Sequence, residues 1–165
     1  MWLDDPVTAT SPLTLADFTR PGLIAPVLRE RETAGVIKEL SQLLHGEGCV
    51  PELLPFYNEA LNREFLVNTA TDSGLAFPHA RLSGVSEMFF ALGRAAEPLV
   101  WGAKGSLPVR FVFLVAVPAT DAARYLQLLS AMIRLGGNAE WLRRLGAASH
   151  PSQIIEVLQQ VRLRA

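Results

Sequence analysis

The polar residues that could carry chemistry are concentrated in residues 62–82, within a chain that is half hydrophobic. His79 lies at the centre of this segment, directly after Pro78. The proline fixes its own φ and disfavours a helical conformation in the preceding residue, so residues 75–77 are predicted to form a short strand that delivers His79 at its end. Gly74 marks a tight turn into that strand. A neutral imidazole placed there would be a nucleophile near physiological pH.

Cations and hydroxyl groups surround His79 in the sequence. The guanidinium of Arg63 presents a planar fork of donors that matches phosphate oxygens, and Arg81 adds a second cation two residues after the histidine. Such a setting suits an anion or a transferred phosphoryl group. Glu64 is expected to be structural rather than catalytic. The hydroxyl groups of the segment belong to Thr69, Thr71 and Ser73.

Each of these residues also has an ordinary interpretation. His79 could cap a strand and satisfy local backbone groups, and Arg63 could be a solvated charge at a helix end. Arg81 could be a surface residue or part of a rim on which a partner docks. Residue type alone leaves these alternatives open.

The order of these residues resembles a known signature. An Arg63-Glu64 pair, a short gap, Thr69 and then Gly-Leu-Ala-Phe-Pro-His-Ala-Arg at residues 74–81 is similar to the phosphorylation site of the type 2 enzyme IIA proteins. These form the fructose, mannitol and nitrogen-regulatory branch of the bacterial phosphoenolpyruvate phosphotransferase system (PTS). The resemblance continues to either side and covers roughly residues 13–163, including residues 92–94, 111–117 and 125–129.

The resemblance implies a phosphohistidine carrier. His79 would accept a phosphoryl group from the phosphocarrier protein HPr or its paralogue and pass it to a IIB partner, with Arg63 lying against the histidine. Thr69 and Arg81 would contribute to binding. The resemblance implies no metal and no cofactor. Because no IIB or IIC domain is fused within the 165 residues, a nitrogen-regulatory role is favoured over dedicated sugar uptake.

One position departs from the family pattern. The family usually carries a second histidine immediately before the leucine that is Leu126 here, beside the active one, and this chain has Tyr125. A phenol can donate a hydrogen bond to a phosphate oxygen, but unlike imidazole it does not readily change protonation state near neutral pH. The alternative function is therefore a IIA-like regulatory module that no longer relays phosphate and controls a transporter, kinase or other partner by docking.

Composition excludes several other classes of protein. The formal net charge of −1 provides no basic face for nucleic acid. The longest apolar run, residues 111–119, is well short of the roughly 20 residues that a membrane-spanning helix needs. The N-terminal residues lack the features of a signal peptide, so a cytoplasmic location is expected. Cys49 is the only cysteine, and no Cys/His spacing is typical of a zinc site.

Periodicity predicts an α/β fold made of one domain, residues 13–165, after an irregular arm at residues 1–12. Residues 111–117 are apolar at every position, as in a middle strand covered by helices on both sides. We therefore expect a mixed sheet of about five strands flanked by helices on both faces. The predicted helices are 33–45, 51–62, 122–135, 141–145 and 151–163, and the predicted strands are 65–69, 75–77, 88–93, 99–101 and 109–117.

Overall fold

The computed structural model describes residues 12–102 and 107–164. Except for Pro12, the arm expected at residues 1–12 lies outside the described residues. The strands are β1 (Ile24–Ala25), β2 (Leu75–Ala76), β3 (His79–Leu82), β4 (Phe89–Val100) and β5 (Pro108–Pro118). The helices are α1 (Thr33–Gly46), α2 (Leu53–Leu66), α3 (Ala122–Gly136), α4 (Ala139–Ala147) and α5 (Pro151–Leu158), and two short 3₁₀ helices, Leu15–Phe18 and Pro21–Leu23, precede β1.

β5 is the central strand, as its continuous apolar sequence predicted. Every residue from 111 to 117 is buried. β4 pairs antiparallel with one edge of β5, and β1 extends the sheet by pairing parallel with β4. β2 and β3 both pair parallel with the other edge of β5. The predicted mixed α/β sheet is confirmed, with five strands in the described part of the chain.

Helices cover both faces of the sheet. Alternate residues of β5 point to opposite faces, so Phe113 and Val115 pack in the core that α3, α4 and α5 cover. Val112 and Leu114 pack in the second core, which α1 and α2 cover. α2 and α3 therefore lie on opposite faces of the sheet.

The strand predicted at residues 65–69 is wrong. α2 continues through Leu66, and the backbone N–H of Val67 donates to the Arg63 carbonyl to close its last turn. The apolar run that suggested a strand is exposed rather than paired. Local β propensity is a weak signal when neighbouring helix-forming residues can extend an existing helix.

Other differences are smaller. Residues 88–93 and 99–101, predicted as two strands, belong mostly to the single strand β4, which has an irregular register between Arg94 and Leu99. The sequence did not predict β1 or β3. α2 begins at Leu53 rather than at Pro51, and α5 ends at Leu158. Three apolar helix residues are exposed: Leu54, Leu126 and Ile133.

Candidate active site

Two short parallel strands place His79. β2 and β3 follow one another along the same edge of β5, and Pro78 lies between them. The Val115 N–H donates to the Pro78 carbonyl at 3.0 Å, and His79 pairs with Val115 as the first residue of β3. We expected His79 at the end of a strand. It lies after the end of β2, as expected, and is also the first residue of β3. The proline supplies a carbonyl to β5 at a position where no N–H is needed.

Gly74 forms the turn that leads into β2, as predicted. Its φ is +87°, a conformation that a side chain would strain. The Gly74 carbonyl accepts hydrogen bonds from the N–H groups of Arg110 at 2.8 Å and Phe111 at 3.1 Å. The turn is thus joined to β5, which fixes where the His79 segment starts.

Four side chains predicted from sequence meet at the sheet edge. His79 and Arg81 are two residues apart in β3 and so project to the same face. Tyr125 reaches them from the first turn of α3, and Arg63 comes from the last turn of α2. Together they surround a cavity of about 180 Å³, lined by Arg63, His79, Arg81, Val117, Ala122 and Tyr125. This is smaller than the roughly 300–1,000 Å³ of typical small-molecule sites, and its size and cations suit a phosphoryl group.

The surroundings of His79 select one of its tautomers. Its Nδ1 lies 3.3 Å from the Phe77 carbonyl oxygen. A carbonyl oxygen only accepts, so this hydrogen bond requires the proton on Nδ1 and leaves a lone pair on Nε2. The rings of His79 and Tyr125 are in tilted contact, with centroids 4.9 Å apart and planes inclined by 32°. Nε2 is therefore the ring nitrogen that can act as a nucleophile.

Burial sets the protonation of both rings. Burial lowers the pKa of His79 from its ordinary value of 6.5, and the charges of Arg63 and Arg81 lower it further. The hydrogen bond to the Phe77 carbonyl and the charge of Glu64 act in the opposite direction. Burial also raises the pKa of Tyr125 to about 12. At neutral pH the site thus contains a neutral imidazole and a protonated phenol that can donate.

Arg63 extends to the rim of the cavity. Its Nε lies 3.3 Å from Oε2 of Glu59, one turn earlier in α2, and both side chains are largely solvated. Exposed pairs of this kind contribute little to stability. Because the pair uses Nε, the two terminal nitrogens of the guanidinium are the donors suited to a bound oxyanion.

Glu64 and Thr69 lie behind the cavity rather than on its lining. Glu64 is 2% exposed, and its carboxylate accepts a hydrogen bond from Trp101 Nε1 at 2.7 Å. Thr69 donates to the same carboxylate from its backbone N–H at 2.8 Å and from its hydroxyl at 2.9 Å. These contacts agree with the structural role expected of Glu64. The Thr69 hydroxyl bonds to Glu64 and to the Phe77 N–H within the fold. Direct binding of a phosphoryl group by Thr69 stays a prediction.

The remaining hydroxyl groups bond locally. Thr71 Oγ1 and Ser73 Oγ lie 3.0 Å apart, and Thr71 also donates to the Leu75 carbonyl. Sequence reasoning missed Val117 and Ala122 as lining residues. The alternation of β5 could have indicated Val117, and the one-turn spacing before Tyr125 could have indicated Ala122.

No group of three or more His, Cys, Asp or Glu side chains among residues 12–102 and 107–164 could hold a metal ion. No helix in the described part of the chain is both long and apolar enough to cross a membrane.

A family model named "Phosphoenolpyruvate-dependent sugar phosphotransferase system, EIIA 2" matches residues 18–161. The chain belongs to this EIIA type 2 family. The match contains the whole sheet and every residue that lines the cavity. The resemblance inferred from residues 62–82 is thereby confirmed.

Individual relatives come from sugar systems and from nitrogen regulation. The EIIA chain is 34% identical over 124 residues to the 2-O-alpha-mannosyl-D-glycerate-specific EIIABC component of Escherichia coli, covering 74% of this chain and 19% of that protein. It is 28% identical to the fructose-specific EIIA component of Haloferax volcanii, covering 94% and 96% of the two chains. It is 27% identical to a nitrogen regulatory protein of Bradyrhizobium diazoefficiens, covering 88% and 95%.

Solved structures share the fold. The nitrogen regulatory protein IIA-Ntr of Neisseria meningitidis superposes with a TM-score of 0.75 at 22% identity, covering 87% of this chain and 98% of that one. The mannitol IIA of Escherichia coli, solved in complex with phosphorylated IIB, gives a TM-score of 0.72 at 16% identity, covering 85% and 97%. The protein is an EIIA-type domain homologous to both sugar-system and nitrogen-regulatory IIA proteins, and a phosphoryl-carrier role fits this family.

Proposed function

We propose that this EIIA domain carries a phosphoryl group on Nε2 of His79. The observation that carries the proposal is the setting of the ring: Nδ1 faces the Phe77 carbonyl, and the ring lines a small cavity together with Arg63 and Arg81. The lowered pKa of His79 keeps the imidazole neutral and nucleophilic at neutral pH.

The transfer is an in-line exchange between histidines. The Nε2 lone pair of His79 forms a bond to phosphorus while the bond from phosphorus to the donor's imidazole nitrogen breaks, and the donor imidazole keeps that electron pair. The negative charge on the phosphoryl oxygens is stabilised by the terminal nitrogens of Arg63, and the Tyr125 hydroxyl donates a further hydrogen bond. No proton has to leave His79 for the bond to form.

The donor in this proposal is HPr or its paralogue, and the acceptor is a IIB domain. The surface beside the cavity suits a transient protein partner because it is apolar and exposed. Leu66 and Val67, one turn after Arg63, are 82% and 71% exposed, and Leu126, one turn after Ala122, is 62% exposed. The complex of the structurally similar mannitol IIA with phosphorylated IIB supports a IIB acceptor.

A second candidate is a regulatory module that binds a partner without relaying phosphate. The observation that favours it is Tyr125, which contacts His79 where the family pattern has a second histidine. A phenol with a pKa of about 12 can donate a hydrogen bond but cannot exchange a proton near neutral pH.

Phosphorylation in a reconstituted relay tests the first candidate. The protein is incubated with phosphoenolpyruvate, enzyme I and either HPr or its nitrogen-system paralogue, and acid-labile, alkali-stable label is measured. Label is expected on wild type and on His45→Gln, and it should be absent from His79→Gln. Label retained by His79→Gln would refute the assignment. A wild-type protein that neither carrier labels would favour the regulatory module.

A further inference from the structure

We propose that Glu64 and Thr69 are positioning residues that hold His79 in the tautomer with its proton on Nδ1. The inference rests on the proposed role of His79 as phosphoryl acceptor. Neither residue lines the cavity, and each acts through the Phe77 backbone.

The buried carboxylate of Glu64 fixes the position of Thr69. Three donors meet the Glu64 carboxylate: the indole N–H of Trp101 at 2.7 Å, and the backbone N–H and hydroxyl of Thr69 at 2.8 and 2.9 Å. The two N–H groups can only donate, so this arrangement uses the carboxylate as an acceptor throughout. Charge-assisted hydrogen bonds of this kind restrain both the backbone and the side chain of Thr69.

A hydrogen bond connects Thr69 to the backbone of Phe77. The Phe77 N–H donates to Thr69 Oγ1 at 2.8 Å. The hydroxyl accepts this bond, and its own hydrogen is directed to Glu64. Removing the carboxylate would leave the hydroxyl free to rotate, and the hydrogen bond to Phe77 would lose its polarisation.

The Phe77 carbonyl contacts the imidazole of His79 and is itself held from both sides. The Phe77 N–H is fixed by Thr69, and the Pro78 carbonyl is fixed by the Val115 N–H. The Phe77 carbonyl between these two anchors lies 3.3 Å from His79 Nδ1 and selects the proton on that nitrogen. Hydrogen bonds therefore link Trp101, Glu64 and Thr69 to the Phe77 N–H. The Phe77 backbone transmits this restraint to its carbonyl, which holds the proton on His79 Nδ1 and leaves the lone pair on Nε2.

Helix geometry explains why Arg63 and Glu64 are adjacent. Consecutive residues of a helix do not face the same way. Arg63 points toward the solvated rim of the cavity, whereas Glu64 is buried and contacts Trp101, 37 residues later. One turn of α2 thus supplies a donor for the phosphoryl group and, by this proposal, an anchor for the nucleophile.

The test compares Glu64→Gln and three threonine variants by two measurements. Thr69→Val removes the hydroxyl at nearly constant shape, and Thr69→Ser keeps it. Thr71→Val is a matched control because, among the described residues, the Thr71 hydroxyl bonds to Ser73 and Leu75 and not to Phe77. The tautomer of His79 is read from imidazole ¹⁵N chemical shifts in unphosphorylated protein at a pH where the ring is neutral. The rate of phosphorylation by the carrier is measured in parallel, and circular dichroism confirms folding.

We expect wild type, Thr69→Ser and Thr71→Val to show the proton on Nδ1. Thr69→Val should show a marked increase of the form with the proton on Nε2 and about tenfold slower phosphorylation, the size of effect expected from one lost hydrogen bond. Glu64→Gln should shift the tautomer in the same direction if it folds. An unchanged His79 tautomer in Thr69→Val would overturn the inference, whatever its effect on stability.

The tautomer measurement keeps this inference separate from the proposed function. If no carrier phosphorylates wild type, the phosphoryl-acceptor role fails, while the ¹⁵N shifts of Thr69→Val still support or refute the positioning role. If wild type is phosphorylated on His79 and Thr69→Val reacts at the same rate with the same tautomer, only the positioning role fails.

Discussion

The imidazole of His79 packs against the phenol ring of Tyr125 in a tilted arrangement, with centroids 4.9 Å apart and planes inclined by 32°. The two residues are far apart in the chain, one in β3 and the other in the first turn of α3. This ring contact restrains the histidine from one side, while the Phe77 carbonyl restrains Nδ1. Under the proposed function, Tyr125 would therefore make two separable contributions to the site, the ring contact and the hydroxyl group.

Tyr125→Phe separates these contributions, because it keeps the ring and loses the hydroxyl. If the hydroxyl donates to the phosphoryl group, phosphorylation should slow about tenfold, since a hydrogen bond to a charged group contributes about 1.5–3 kcal/mol. Tyr125→His restores the family arrangement and should be phosphorylated at least as fast as wild type. Rapid-quench measurement of phosphorylation by the carrier checks both. Equal rates in all three proteins would show that the hydroxyl does not contact the phosphoryl group.

Arg63→Lys should slow phosphorylation without changing stability. Lysine keeps the charge and loses the planar fork that matches phosphate oxygens. The exposed pair with Glu59 contributes little, so the free energy of unfolding should stay within about 0.5 kcal/mol of wild type. Glu59→Gln is the matched control, since it breaks the pair but keeps the guanidinium, and its rate should be close to wild type. An unchanged rate in Arg63→Lys would remove Arg63 from the transfer step.

The lowered pKa of His79 predicts how phosphorylation and stability depend on pH. At any pH near or below 6.5 a larger fraction of the His79 imidazole should be neutral than of an exposed histidine, so the phosphorylation rate should keep its plateau to a lower pH. Below pH 6.5 the unfolded chain binds the proton more readily than the folded one. The stabilising contribution of His79 is therefore complete above the ordinary pKa and is lost as the pH falls through the lowered value.

NMR titration and chemical denaturation check this pH dependence. The His79 ring should titrate with a midpoint below 6.5, and His79→Gln should lose less stability than wild type between about pH 8 and about pH 5. His45→Gln, which alters a histidine at the end of α1, is a control for general effects of removing an imidazole. A His79 midpoint at or above 6.5 would contradict the prediction.

Gly74→Ala should destabilise the protein by about 1–2 kcal/mol through backbone strain. The φ of Gly74 is +87°, while an added Cβ would lie 3.9 Å from its nearest neighbours, so there is room for the methyl group. Gly46→Ala is the control, because Gly46 is helical and nothing lies within 4 Å of the added carbon. The control should be neutral or slightly stabilising in chemical denaturation. Equal stability of Gly74→Ala and wild type would show that the turn does not require a glycine.

The sequence by itself determined the elements that depend only on local residue patterns. The run of apolar residues at 111–117 predicted a strand buried on both faces, and that strand is the centre of the sheet. Gly74 and Pro78 predicted the turn and the break around β2, because few other residues adopt those backbone conformations. The order of residues from Arg63 to Arg81 was enough to identify the family.

Only the tertiary structure decided how the site is assembled. Residues 65–69 look like a strand by propensity, yet α2 extends to Leu66, and this extension places Glu64 against Trp101 and Arg63 at the cavity. β3 is stabilised by pairing with β5, a distant segment that local periodicity cannot reveal. The contact of Tyr125 with His79 depends on how α3 packs on the sheet, because the exposed and buried faces of a helix are set by its partners and not by its apolar residues alone.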